Sequence, residues 1–181
     1  MKNEFTVSIG CLNLANVDRL RTWRNKLKGV YRTPFLLTDD MQKDFYKNIV
    51  CNRLSRSRFY AVKSTSQGLF VGMTGLVNIE WENRICEISL TIDPEESKKG
   101  YGRDALILTL QIAFEELNIN HVYGECYECN PSINFWKKMI EEFKAYNTVL
   151  PNRKYSSGQY WDSIYFDFEK GCINGYLNRD S

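Results

Sequence analysis

Residues 92–107 read IDPEESKKGYGRDALI. The alternating run of residues 84–93 leads into this stretch as a strand, and from residue 103 the apolar period becomes that of a helix. Between the two stand Lys98, Lys99, Gly100, Tyr101, Gly102 and Arg103. Glycines at such a junction let the backbone approach a ligand and turn several N–H groups the same way. The positive end of the helix behind them favours a nearby anion by about 0.3–1 kcal/mol, and by up to about 2 kcal/mol when partly buried. Lys98, Lys99 and Arg103 add full charge. The stretch reads as a pyrophosphate cradle or as a plain glycine-rich helix start. It is not a P-loop, because no Gly-Lys-Ser/Thr follows at the required spacing. It is not a dinucleotide fingerprint, because a third glycine is missing and the preceding strands read as an antiparallel meander.

Upstream, residues 58–64 and 69–80 are strand-like, and the turn signals Ser66-Gln67-Gly68 and Glu82-Asn83 separate them from their successors. Short turns between consecutive strands imply antiparallel pairing. Residues 5–12 read as a first strand, and residues 16–27 as a helix with Val17, Leu20 and Trp23 on one face. Thr38 before Asp39 and Asp40 marks the start of a helix that runs to about Val50. Downstream, residues 103–117 carry Leu106, Leu110, Ala113, Phe114 and Leu117 on one helical face. Residues 121–127 are a strand, 132–143 a helix and 160–168 a last strand. This order predicts an α+β fold with a mixed, largely antiparallel central sheet. One domain spans residues 1–170. Residues 171–181 read as a tail, either frayed or an edge for a partner subunit.

The 181 residues suit a single core, with 43% hydrophobic and 25% charged residues. A net charge of +2 without a basic stripe gives no case for nucleic acid. Arg53, Arg56 and Arg58 form the most basic run, readable as a solvated loop or a local anion site. No apolar stretch approaches a membrane span and MKNEFTVSIG is not a signal peptide, so the expected location is cytoplasmic. The six cysteines then read as reduced thiols. Cys126-x-x-Cys129 lacks the second ligand pair that zinc needs, with His121 the lone histidine, so no metal is expected.

The strand, the string Asp93-Pro94 ahead of Gly100-x-Gly102, and the helix resemble the acetyl-CoA-binding motif of the GNAT superfamily, Q/R-x-x-G-x-G/A. Ser97 stands where the family usually has Gln or Arg. The resemblance continues in Asn130 and the following helix with Trp136, and upstream in Trp23, Arg24 and Asn25. The upstream flank, with the Asp39-Asp40 helix after it, looks most like the branch that acetylates nucleotide-linked amino sugars, and the last strand, Gly158 to Ser163, is similar to that branch and to ribosomal-protein acetyltransferases. The resemblance covers about four-fifths of the chain, and its central motif is the specific part.

It implies a GNAT-like sheet that splays between two parallel strands, 84–93 and 121–127, with helices on both faces. It implies acetyl-CoA as acyl donor, held by Lys98, Lys99, Gly100, Tyr101, Gly102, Arg103, Asn130 and Trp136. Backbone N–H groups near Leu90 and Ile92 would polarise the thioester. The acetyl group would pass directly to a primary amine of a small molecule, possibly a nucleotide-linked amino sugar. The alternatives are a protein N-terminus or lysine, or a non-catalytic acyl-CoA-binding or interaction module. Glu87 is the candidate base, against a solvated strand glutamate, and Glu125 is second. The tyrosine that many members use as an acid is replaced by Trp136, which has no useful acidity and packs on either the cofactor arm or the core. Tyr127 and Tyr101 are weaker candidates for that acid. Trp23, Arg24 and Asn25 are the candidate acceptor residues: Trp23 reads as ligand or core, and Arg24 as a phosphate partner or the holder of a structural carboxylate. The expected assembly is a monomer or homodimer.

Overall fold

The computed structural model describes residues 5–177. β1 (Val7–Cys11) leads into α1 (Leu14–Lys26), and α2 (Asp39–Phe45) continues in a wide turn, Tyr46–Val50. Three strands follow, β2 (Arg58–Ser64), β3 (Phe70–Glu80) and β4 (Ile85–Ile92). After a short 3-10 turn, Pro94–Glu96, come α3 (Tyr101–Gln111), β5 (His121–Tyr127), α4 (Ile133–Phe143), β6 (Tyr146–Ser156), β7 (Gln159–Glu169) and α5 (Asn174–Leu177). The strands form one sheet in the order β1-β2-β3-β4-β5-β7-β6. Among the described residues only β4 and β5 pair in parallel.

The helices start where the sequence caps them. α1 begins after Asn13, whose side chain accepts from the Asn16 amide while Asn16 answers to the Asn13 amide, a reciprocal capping box. This sets the start two residues earlier than the apolar pattern implies. Thr38 caps α2 as expected, accepting from Met41 N.

Helices cover both faces of the sheet. On one face Leu106, Leu110 and Phe114 pack with Met139 and Phe143 against Leu76, Val122, Phe166 and Phe168. Each of these fully buried side chains contributes about 1.5–3 kcal/mol relative to exposure. On the other face Val17, Leu20 and Trp23 pack against Ala61, Phe70 and Met73. Gln42 ties α2 to α1 by donating to the Val17 carbonyl at 2.8 Å.

One strand went unread and one expectation is corrected. β6 was not legible: it is an edge strand bonded only to β7, carries Pro151 and is mostly exposed, so it lacks apolar alternation. The segment read as a tail folds back instead, with Ile173 fully buried and Cys172 and Tyr176 packed on the main core. Its last residues, 178–181, lie outside the described residues. The basic run is a set of loop staples. Arg58 donates to the Ser55 and Ser57 carbonyls and Arg56 to Ile79 O. Burial pushes the Cys86, Cys126 and Cys172 thiols up to about 12, which keeps them poor nucleophiles. Among the described residues no helix is long and apolar enough to cross a membrane.

Candidate active site

β4 and β5 pair at Ile85–His121, Cys86–Val122 and Glu87–Tyr123, and pairing stops there. Beyond it the strands diverge, because β4 stays with β3 as far as Ile92 while β5 follows β7. Asp93 N donates to Val71 O on the β3 side. Strand alternation then turns the amides of Leu90 and Ile92 to the opposite edge, facing the gap. Trp136 and Phe166 line this opening, their rings stacked with centroids 4.7 Å apart.

At the mouth of the gap lies the glycine loop. Gly100 is the N-cap of α3 with φ +85°, a left-handed conformation that glycine adopts without strain. No side chain caps the helix, so its first amides point outward. Gly102 has a different reason: a Cβ there would stand 3.2 Å from the Phe135 ring of α4. Asp93 is buried, caps the turn through Glu95 N and takes an ion pair from Arg19 of α1 at 3.0 Å. The charges are not all free for a ligand. Arg103 donates to Glu142 at 2.9 Å and lies over the Tyr176 ring, and Lys99 is paired with Glu96 at 2.7 Å. Lys98, at φ +65°, makes no ion pair among the described residues. Tyr101 packs against the Val7, Val62 and Val71 cluster.

On the opposite side, facing α1 and α2, a cavity of about 330 Å³ follows Glu87, Ser89 and Thr91 of β4. Glu87 is only 7% exposed. Its carboxylate accepts from Asn78 Nδ2 at 3.0 Å and pairs with Arg32 at 2.7 Å. Asn78 reaches it because β3 bulges there: three β3 steps from Val77 to Glu80 oppose two β4 steps from Glu87 to Ile85. Asn78 takes φ +52°, and such bulges re-aim side chains beside reactive sites. Arg32 also approaches Glu125 at 3.5 Å, and Glu125 receives Arg153 at 2.9 Å and the Ser163 hydroxyl at 2.7 Å. Burial raises the Glu125 pKa, but these hydrogen bonds and the two guanidinium charges outweigh it and hold the group below its ordinary range. Burial also opposes the Arg32 charge, which the bond and charge of Glu87 more than restore.

Of the expected acceptor residues, only Arg24 lines the cavity. Trp23 is in the core, stacked flat on Phe70 at 5.5 Å. Asn25 clamps the 27–38 loop, its amide bonding both Leu37 N and Leu37 O. Glu87, Leu90, Asn130 and Trp136 all line the cavity, as do Glu125 and Tyr127. Asn130 also accepts from Ser132 N in the turn that starts α4. Sequence reasoning missed Arg32, Asn78 and Tyr31. Arg32 and Tyr31 sit in a loop without periodicity, and Asn78 interrupts a strand pattern, the one signal that marks a bulge.

A family model for the acetyltransferase (GNAT) domain matches residues 12–137. A spermidine N(1)-acetyltransferase of Vibrio cholerae serotype O1 is 25% identical over 146 residues, covering 79% of this chain and 82% of that protein. The crystal structure of spermidine N-acetyltransferase from Vibrio cholerae with CoA and spermine superposes with a TM-score of 0.80 at 19% identity, covering 92% of this chain and 97% of that one. A dodecameric structure of spermidine N-acetyltransferase from Vibrio cholerae gives 0.78 at 20%, covering 98% and 100%. These structural likenesses speak to the fold. That dodecamer is a larger assembly than the monomer or homodimer expected from the sequence.

Proposed function

The chain belongs to the GNAT acetyltransferase family, and on that premise we propose that it transfers acetyl from acetyl-CoA directly to the primary amine of a small molecule. One observation carries the reading. The parallel pair ends at Glu87 and Tyr123, so strand amides face an open gap beside a buried carboxylate.

The donor fits the loop side. The free amides at the start of α3 and Lys98 suit the pyrophosphate, and the open β4 edge suits the amide-bearing arm. Leu90 and Ile92 amides would donate to the thioester oxygen as charge develops on it. An alkyl amine with a pKa near 10.4 costs about 4–5 kcal/mol to deprotonate at pH 7. Glu87 takes that proton, held in one orientation by Asn78 and Arg32. A positioned base of this kind contributes about 10²–10⁴ in rate. Trp136 supplies stacking surface and no acidity. A thiol near pKa 8.5 leaves as thiolate without needing an acid.

Spermidine stands first among acceptors to test, because the relatives of known activity acetylate it. Those relatives lend no support to the nucleotide-linked amino sugar. The test is release of CoA thiol from acetyl-CoA with spermidine, spermine, a nucleotide amino sugar and a peptide amine. Turnover with a small amine supports the reading. Binding of acetyl-CoA without turnover of any amine moves the chain to a non-catalytic acyl-CoA-binding module.

A further inference from the structure

The cavity holds two arginines, and they are in opposite states. Arg32 is paired with Glu87 and Glu125. Arg24 has no carboxylate partner among the described residues. A guanidinium carries five N–H donors. Arg24 gives one of them to the Thr33 hydroxyl at 3.0 Å, and its charge lies over the Tyr31 ring at 5.7 Å. Burial lowers its pKa, as expected of a cation taken from water without a counter-charge. A half-buried guanidinium that lines a cavity and keeps donors free for a ligand suits an oxyanion.

The charge balance of the cavity points the same way. Its carboxylates, Glu87 and Glu125, are already met by Arg32 and by Arg153. A wall suited to an acceptor bearing only positive charges needs carboxylates in excess, and this one has none. The lining also includes apolar side chains, Leu20, Phe45, Phe59 and Met73. Arg24 and Tyr31 lie toward Thr91, whose hydroxyl Tyr31 contacts, and the base is at Glu87. Those two β4 positions are about 13 Å apart at the rise of a strand.

We infer that the acceptor is a primary amine joined by an apolar stem to a carboxylate or phosphate, with the amine at Glu87 and the oxyanion on Arg24. The inference rests on the acetyltransferase reading for the role of Glu87, and its test is binding, so the two fail separately. Titration calorimetry on the CoA-loaded protein compares 6-aminohexanoate and 6-aminohexyl phosphate with hexylamine and spermidine. The anion-bearing amines bind at least tenfold more tightly to the wild type, and whichever of the two is tighter identifies carboxylate or phosphate. Arg24→Gln reduces that preference to under threefold, and Arg24→Lys retains part of it. Thermal melts of both variants check the fold. Equal or tighter binding of spermidine or hexylamine overturns the inference, as does a preference that survives in Arg24→Gln. So does a loss of CoA affinity in that variant, which would assign Arg24 to the donor. Binding with this preference but no acetyl transfer overturns the acetyltransferase reading and leaves the oxyanion site standing.

Discussion

On the donor side of the gap, residues 97–103 and the start of α3 are contiguous in the chain and offer mainly backbone. On the acceptor side, Arg24, Arg32, Asn78, Glu87, Glu125 and Ser163 come from α1, a loop, β3, β4, β5 and β7, and they offer side chains. The first site rests on the left-handed φ of Gly100 and on the close approach of Gly102 to the Phe135 ring. The second depends on a network in which each charge orients another. On the proposed reading, donor binding is a property of a short segment, and acceptor choice a property of the whole fold.

The largest effect that would sharpen this contrast is on Glu87. Glu87→Gln keeps the Asn78 contact but cannot take a proton, so kcat/KM falls by about 10²–10⁴ while acetyl-CoA affinity holds. Activity within threefold of wild type would break the assignment of the base. Trp23→Ala tests the neighbouring residue that the sequence left open between ligand and core. Loss of a buried indole stacked on Phe70 costs about 3–5 kcal/mol in denaturant unfolding. The relative kcat/KM values for different amines stay as they were. A changed preference without lost stability would return Trp23 to the acceptor site.

Gly100→Glu attacks the donor side alone. A left-handed non-glycine residue costs about 1–2 kcal/mol, less than the Trp23 change. Its carboxylate at the helix N-terminus also repels the pyrophosphate, so acetyl-CoA binds at least tenfold more weakly by calorimetry. Unchanged affinity would move the donor elsewhere. The smallest effect is at the strut behind the loop. The Arg103 hydrogen bond holds the Glu142 carboxyl below its ordinary range, against the opposing pull of burial. A depressed folded-state pKa contributes stability above the ordinary glutamate value near 4.3, and the contribution is lost as pH falls through the depressed value. Melts from pH 6 to pH 3 should show Glu142→Gln less stable at the upper end, by about 0.2–1 kcal/mol for this partly exposed pair, with the gap closing on acidification. A gap that widens with acid would contradict the sign.

Most of the elements were legible because their signals are local. The switch of period after Asp93, the Thr38 cap and the Gly100-x-Gly102 spacing all lie within a few residues of what they shape. From the same residues came the family resemblance, and with it Glu87 as candidate base. β6 was lost because an exposed edge strand with a proline buries little and so leaves no alternation. The folded-back tail was lost because one buried residue, Ile173, sets no period. The sequence by itself determined the order of the elements, β6 apart, and the glycine loop ahead of α3, since propensity, capping and glycine conformation act over a turn or two of chain. Only the tertiary structure decided which of Trp23, Arg24 and Asn25 meets the cavity, and that Arg32 and Asn78 hold the Glu87 carboxylate. Those choices depend on which distant strands stand side by side and on where a bulge turns one side chain, and long-range pairing leaves no periodic mark on the chain that makes it.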